Sequence, residues 1–312
     1  MSSDLVDIDN LAGILHNTPN WRDARPEMLI MGLTEPFGLQ HREFSLPTGI
    51  RLHAAERPGS GTPVVFIHGI GGSWRMWLPL LAVDPNIFAG HPLYLVDLRG
   101  HGGSDKPETG YTLNDYKSDI IAFIEQLGAP RIILLGHSLG ALTSIAVARA
   151  VPDRIEKLSL EEPPLPIPTD MSNLGPFWQS LLEWLLGILA LKHQPHEVIV
   201  AKLQEMEPDL TPEIADVLAT QLAEVADGVF KAVADQTFGG YDLLDPEPTV
   251  SIPTLLFQGA IPDQRGLADS GVEGLRKIFT QLTLVVIPET GHSIHEKAPV
   301  EYRRALAEVL GG

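Results

Sequence analysis

The chain has 312 residues, no cysteine, and 40 acidic against 22 basic residues, a formal charge of −18. That length allows one large domain or one domain with an insertion, and the 44% hydrophobic content can fill a sizeable core. The acidic balance argues against nucleic acid and anionic membrane surfaces as partners, and the lack of cysteine removes disulfides, a thiolate nucleophile and a cysteine metal site.

Taken in order, residues 1–38 read as a polar N-terminal arm punctuated by Pro19, Pro26 and Pro36, with a short helix expected near 5–15. Its expected role is packing against the body or a partner subunit. The first residues carry neither a basic n-region nor an apolar h-region, so no signal peptide is read and a cytoplasmic enzyme is the default. Residues 41–46 and 50–54, joined by Pro47-Thr48-Gly49, predict a β-hairpin. Strands are predicted at 63–67 and 93–96, with a helix at 74–81 between them. An amphipathic helix follows over 113–127, stopped by Gly128-Ala129-Pro130. Then come a strand at 131–135, a helix at 141–148 and a strand at 155–160. Strand and helix in alternation predict an α/β fold with a mostly parallel sheet covered on both faces.

The alternation breaks at Pro163-Pro164-Leu165-Pro166-Ile167-Pro168. From there to 248 the pattern is helical only, with apolar segments at 178–186, 198–206 and 214–233. The most apolar window, 181–191, is interrupted by Glu183 and is too short to span a bilayer. Strands at 253–257 and 282–287 and a helix at 296–310 close the chain. The division expected is an arm (1–38), an α/β core (39–162 and 249–312) and a helical cap (163–248) inserted in that core.

The stretch Gly136-His137-Ser138-Leu139-Gly140 lies between the apolar run 131–135 and the helical run 141–148. A strand, G-x-S-x-G and a helix are the context of a nucleophile elbow. Glycines at both ends leave room for close backbone approach, and the helix N-terminus favours a developing negative charge. A chance match in a glycine-containing loop is the bland alternative. The flanking pattern, and a histidine much later in the chain, speak for the catalytic reading.

From about residue 40 to 310 the chain resembles the α/β-hydrolases. The resemblance rests on four motifs in order: His68-Gly69-Ile70-Gly71-Gly72, Asp97-Leu98-Arg99-Gly100-His101-Gly102-Gly103-Ser104, the elbow, and Gly291-His292-Ser293-Ile294-His295. It implies an eight-stranded sheet with a cap where this one is read. The serine at the nucleophile position excludes the mechanism of dehalogenase and epoxide-hydrolase relatives, which carry aspartate there.

Ser138 is the nucleophile this reading predicts, and a hydroxyl needs a base within hydrogen-bond reach. His292 is the best candidate, since imidazole can take and return the proton near neutral pH. His137 is expected to line the site or pack. His68 and His101 are expected to be structural, as are Asp97, Arg99 and Ser104, whereas Asp115 and Asp119 read as exposed helix positions. His295, three residues after His292, finds no third ligand at metal-site spacing, so a metal is not expected. The resemblance puts the oxyanion donors on Ile70 and Leu139, with Gly69 beside the substrate. It implies an acid after the seventh strand, where Asp263 falls one position late behind Pro262, or at the end of the sixth strand, where the chain has Glu161 and Glu162. Glu162 is placed ahead of Asp263, and Glu161 third. In a regular strand these two glutamates point to opposite faces. A solvated strand end is the bland reading of the pair. Trp178 and Trp184 are cap-core aromatics, some of which should face substrate.

The activity expected is a serine hydrolase acting on apolar carboxylic esters or lactones through an acyl-enzyme, with no cofactor and a small-molecule substrate as partner. C–C bond hydrolysis of a β-diketone-like substrate and amide hydrolysis use the same residues. A ligand-binding receptor on this fold is the non-enzyme alternative. The oligomeric state, a homodimer among the options, stays open.

Overall fold

A computed structural model describes residues 36–168, 174–206, 210–235, 237–239 and 242–310. The N-terminal arm, with its expected helix at 5–15, lies outside the described residues apart from a short turn at Pro36–Gly38.

The hairpin forms as β1 (Gln40–Ser45) and β2 (Arg51–Arg57), with Ser45 opposite Arg51. The remaining strands are β3 (Val64–Ile67), β4 (Leu93–Val96), β5 (Ile132–His137), β6 (Ile155–Glu161), β7 (Thr254–Gly259) and β8 (Leu282–Ile287). They build one eight-stranded sheet in the order β1-β2-β4-β3-β5-β6-β7-β8. β1 pairs with β2, and β2 with β4, antiparallel, and every other pairing is parallel. Every residue of β3, β5 and β7 is buried, which is why these strands read as continuous apolar runs rather than alternating ones.

Helices α1 (Leu78–Val83), α2 (Leu113–Leu127) and α3 (Leu139–Ala150) connect the first strands. α2 begins on a reciprocal capping box between Thr112 and Asp115 and ends on Gly128 in the left-handed region, at φ 68°. Its buried face carries Tyr116, Asp119, Ile120, Phe123 and Ile124, the spacing of one helical stripe. Asp119 is therefore not the exposed position its polarity suggested. It is 1% exposed and grips Arg99 in a bidentate pair, Nε to Oδ2 at 2.6 Å and Nη2 to Oδ1 at 2.7 Å.

Between β6 and β7 run α4 (Pro176–Leu191), α5 (His196–Met206), α6 (Pro212–Glu224) and α7 (Asp227–Ala234). The apolar segment expected over 214–233 is two helices. It breaks at Ala226, whose extended backbone sends its N–H to Gly100 O at 2.7 Å, so this insertion is tied to the loop after β4. After β7 comes α8 (Asp269–Ile278), and after β8 the last helical run is split into α9 (Ile294–Lys297) and α10 (Pro299–Leu310). Pro299 has no N–H to continue the first of these. Among the described residues no helix is long and apolar enough to cross a membrane.

Candidate active site

Ser138 follows directly on β5 and precedes α3, with φ 53° and ψ −115°. That is a strained conformation for a residue with a Cβ. The two elbow glycines make it reachable. A Cβ on Gly136 would lie 2.4 Å from Gly140 O, and one on Gly140 would lie 2.1 Å from Ile67 O. The turn is tied to the next strand by Ser138 N–H donating to Glu161 O at 2.9 Å.

Nε2 of His292 lies 2.8 Å from Ser138 Oγ. On the other side of the ring, Nδ1 lies 3.4 Å from Oε2 of Glu162. Glu162 is fully buried and has φ 48°. β6 ends at Glu161, and the left-handed turn at Glu162 redirects its side chain, so the opposite-face argument for a regular strand does not hold here. The Glu162 carboxyl accepts N–H groups from Gly259 at 2.8 Å, Gly266 at 2.6 Å and Leu267 at 3.1 Å. Burial pushes this carboxyl up to about 8, with the neighbouring Glu161 charge adding to the rise and the three N–H donors offsetting only part of it. A carboxylate surrounded by donors can accept the His292 Nδ1–H, which leaves Nε2 as the acceptor for the serine proton. Burial pushes His292 down to about 4, which favours the neutral ring a base needs.

Asp263 is corrected by its position. It stands exposed in a one-turn 3₁₀ helix, Pro262–Gln264, and no contact brings it to His292. The loop after β7 supplies main-chain donors to Glu162 instead of a carboxylate. Gly266 and Leu267, which the sequence reading did not single out, act through N–H groups and so leave no side-chain signal to find.

Glu161 is not a solvated strand end. It is fully buried and meets Nδ1 of His295 at 2.9 and 2.8 Å, while Oε1 also accepts the N–H groups of Ile294 at 2.6 Å and His295 at 2.9 Å. His137 lies between the two Glu–His pairs. Its ring centroid is 4.9 Å from that of His292 and 5.0 Å from that of His295, and its Nε2–H donates to His292 O at 3.0 Å. Burial pushes His137 down to about 3. Ligand atoms of His137, Glu161 and His295 fall within 4.8 Å of one another. Both Glu161 oxygens face His295 and Nε2 of His137 faces the His292 carbonyl, while Nδ1 of His137 is buried without a hydrogen-bond partner.

The loop after β3 is braced by the loop after β4. His101 donates from Nδ1 to Arg99 O at 2.9 Å and accepts Gly71 N–H on Nε2 at 3.1 Å. His68 accepts Leu98 N–H on Nε2 at 3.0 Å. Asp97 accepts Trp74 N–H at 2.7 Å, Gly103 N–H at 2.9 Å and His53 Nδ1–H at 2.7 Å. The Asp119–Arg99 pair thus holds the loop that holds the β3 loop, from Gly69 to Gly72. Leu139 is the first residue of α3, where an N–H has no intrahelical acceptor.

Two cavities meet at Ser138. One, of about 240 Å³, is lined by Gly69–Gly72, Ser138, His292 and, from α4 to α6, Phe177, Trp184, Ile188, Leu203, Leu218 and Gln221. The other, of about 580 Å³, is bordered by Ile70, Leu139, the 164–168 linker and Trp178. Trp178 and Trp184 therefore face different cavities. His137, Ile70 and Gly69 all border the first.

Residues 64–305 match the alpha/beta hydrolase family. The 2-(acetamidomethylene)succinate hydrolase of Mesorhizobium japonicum is 28% identical over 268 residues, covering 84% of this chain and 92% of that protein. The crystal structure of an N-formylmaleamic acid deformylase from Pseudomonas putida S16 superposes with a TM-score of 0.66 at 21% identity, over 86% of this chain and 100% of that one. An esterase from Exiguobacterium antarcticum gives a TM-score of 0.67 at 22% identity, over 86% and 99%. The sheet order, the elbow after β5 and these matches agree that the chain is a hydrolase of the alpha/beta hydrolase family.

Proposed function

We propose that this chain is a serine hydrolase that cleaves carboxylic esters or lactones with an apolar body through an acyl-enzyme. The observation that carries this reading is the 2.8 Å approach of His292 Nε2 to Ser138 Oγ at the junction of two largely apolar cavities. Ser138 Oγ attacks the carbonyl carbon while its proton passes to His292 Nε2. The oxyanion is met by the N–H groups of Leu139 and Ile70, donors of a kind each worth about 2.7–4 kcal/mol in the transition state. His292 then protonates the leaving oxygen, and the bond between carbonyl carbon and that oxygen breaks. A water that gives its proton to His292 hydrolyses the acyl group and restores Ser138. Glu162 orients the ring and compensates its charge. Helices α4 to α7 act as a cap that sets substrate range. No cofactor enters any step. The test is turnover of p-nitrophenyl butyrate, expected for the wild type and lost in Ser138→Ala. Cleavage that survives that substitution unchanged removes the reading.

Arg75 favours a second reading, hydrolysis of an amide that carries a carboxylate. It lines the smaller cavity, its guanidinium lies 4.8 Å from the Trp74 ring centroid, and its Nε is buried without a hydrogen-bond partner. Names of two similar proteins, a succinate-type hydrolase and a maleamic acid deformylase, point to carboxylate-bearing substrates for those proteins. Comparing neutral esters with ester and amide mono-acids, before and after Arg75→Met, separates the two readings.

A further inference from the structure

We propose that Glu161 and His295 form a buried ion pair that positions His292 relative to Ser138. This rests on reading His292 as the base of the hydrolase.

Glu161 joins the two halves of the site through its own atoms. Its carbonyl oxygen accepts Ser138 N–H at 2.9 Å, which fixes the elbow. Its side chain accepts the N–H groups of Ile294 and His295 at 2.6 and 2.9 Å, which fixes the chain two and three residues beyond His292. The span between β8 and α9, from 288 to 293, has no regular structure of its own to set that position. Besides Glu162, its fixed points near His292 include this carboxylate, the His137 Nε2–H on His292 O at 3.0 Å and the Ile261 N–H on Thr290 O at 3.0 Å. One residue therefore holds both partners of the 2.8 Å Ser138–His292 contact.

A fully buried carboxylate needs a compensating partner, and an apolar side chain would fill the same space at less cost. Here the partner is His295, itself fully buried, packed with its ring centroid 4.5 Å from that of Trp77 and 6.1 Å from that of Tyr302. Burial pushes His295 down, but the adjacent Glu161 charge and hydrogen bond outweigh it and hold the ring above its ordinary value. Burial likewise pushes Glu161 up, and His295 with its N–H groups holds it below the carboxylate range. The titratable groups around His292 are Glu161 and Glu162 at the end of β6, His137 at the end of β5, Ser138 on the elbow, and His295 and Glu296 on α9. The pair thus adds a negative charge on one side of His137 and a positive one beyond it.

The test uses Glu161→Gln and His295→Gln in the full chain, with p-nitrophenyl butyrate as substrate and Ser138→Ala as the check on the underlying reading. Each variant is expected to lose roughly tenfold or more in kcat with KM within about twofold, since the base is displaced and the cavity is not. The acid limb of kcat/KM should move to lower pH in Glu161→Gln, where the anion that favours protonated His292 is gone. It should move to higher pH in His295→Gln. A merely structural role would not move the two limbs in opposite directions. Limbs that stay put or move together, with Ser138→Ala inactive, overturn the proposal and leave the hydrolase reading intact. If neither variant folds, histidine-ring NMR of the wild type decides: His295 is expected as imidazolium at pH 7, and a neutral ring overturns the ion pair.

Discussion

Glu162→Gln separates charge from shape at the proposed acid. An amide nitrogen placed at Oε2 would face the N–H groups of both Gly266 and Leu267, whereas at Oε1 it faces only that of Gly259. The amide should settle the second way, keeping an oxygen toward His292 and leaving one buried donor unpaired. That costs about 1–3 kcal/mol of stability, a fall of several degrees in Tm. The catalytic loss is the attraction between carboxylate and imidazolium during attack. At the 3.4 Å separation and an effective dielectric of about 20, it is worth about 5 kcal/mol, or 10³ to 10⁴ in kcat. Asp263→Asn, on the exposed turn, should stay within about 0.5 kcal/mol on both measures. Steady-state kinetics and thermal unfolding of the two variants beside Ser138→Ala give the answer. Glu162→Gln keeping more than a tenth of wild-type kcat, or Asp263→Asn falling to the Ser138→Ala level, would refute the assignment.

The acid limb of kcat/KM should fall near pH 4, because burial holds His292 down to about 4 and only the neutral ring accepts a proton; an inflection at the ordinary histidine value of 6.5 would contradict this. Stability should also decline as pH falls below about 6.5, since His68, His101, His137 and His292 are all buried with lowered values and the unfolded chain binds those protons first, each adding up to about 1.4 kcal/mol per pH unit. Urea midpoints between pH 7 and 5 check it, and a flat series is the adverse result. Asp119→Asn should cost about 3 kcal/mol by breaking the buried bidentate pair and leaving Arg99 with only Gly110 O at 2.8 Å and Asp115 at 3.7 Å, readable in urea unfolding, with a change under 1 kcal/mol telling against the brace. Trp184→Ala should raise KM for long-chain esters more than it lowers kcat, because it opens the wall of the smaller cavity.

The strands and the elbow were legible because their signals are local. Residues 131–148 carry an apolar run, two glycines and a helical run in the right order, and the structure forms β5, Ser138 and α3 there. The bounds of α2 were legible for the same reason, with Thr112 before it and Gly128 after it. Pairings distant in sequence were not legible. Asp119 reads as a surface residue until Arg99, 20 residues away, is brought against it. The two glutamates divide between two histidines because Glu162 turns left-handed after the last strand residue, and no residue pattern announces that turn. Asp263 looked eligible because distance along the chain stood in for distance in space.

Glu162 is held by backbone rather than side chains, and this has a consequence for mutational tolerance. The donors at Gly259, Gly266 and Leu267 are main-chain groups, so side-chain identity matters only where a Cβ has no space. Position 267 should therefore accept many apolar residues of similar volume without disturbing the acid. Position 266 should accept almost none, as a Cβ there would lie 2.9 Å from Phe177 Cζ and 3.0 Å from His292 Cε1. Position 259 should be equally strict, with Gly291 O at 2.3 Å. A saturation library across 259–266, selected for ester cleavage, should retain glycine at its two ends and drift freely at Asp263 between them.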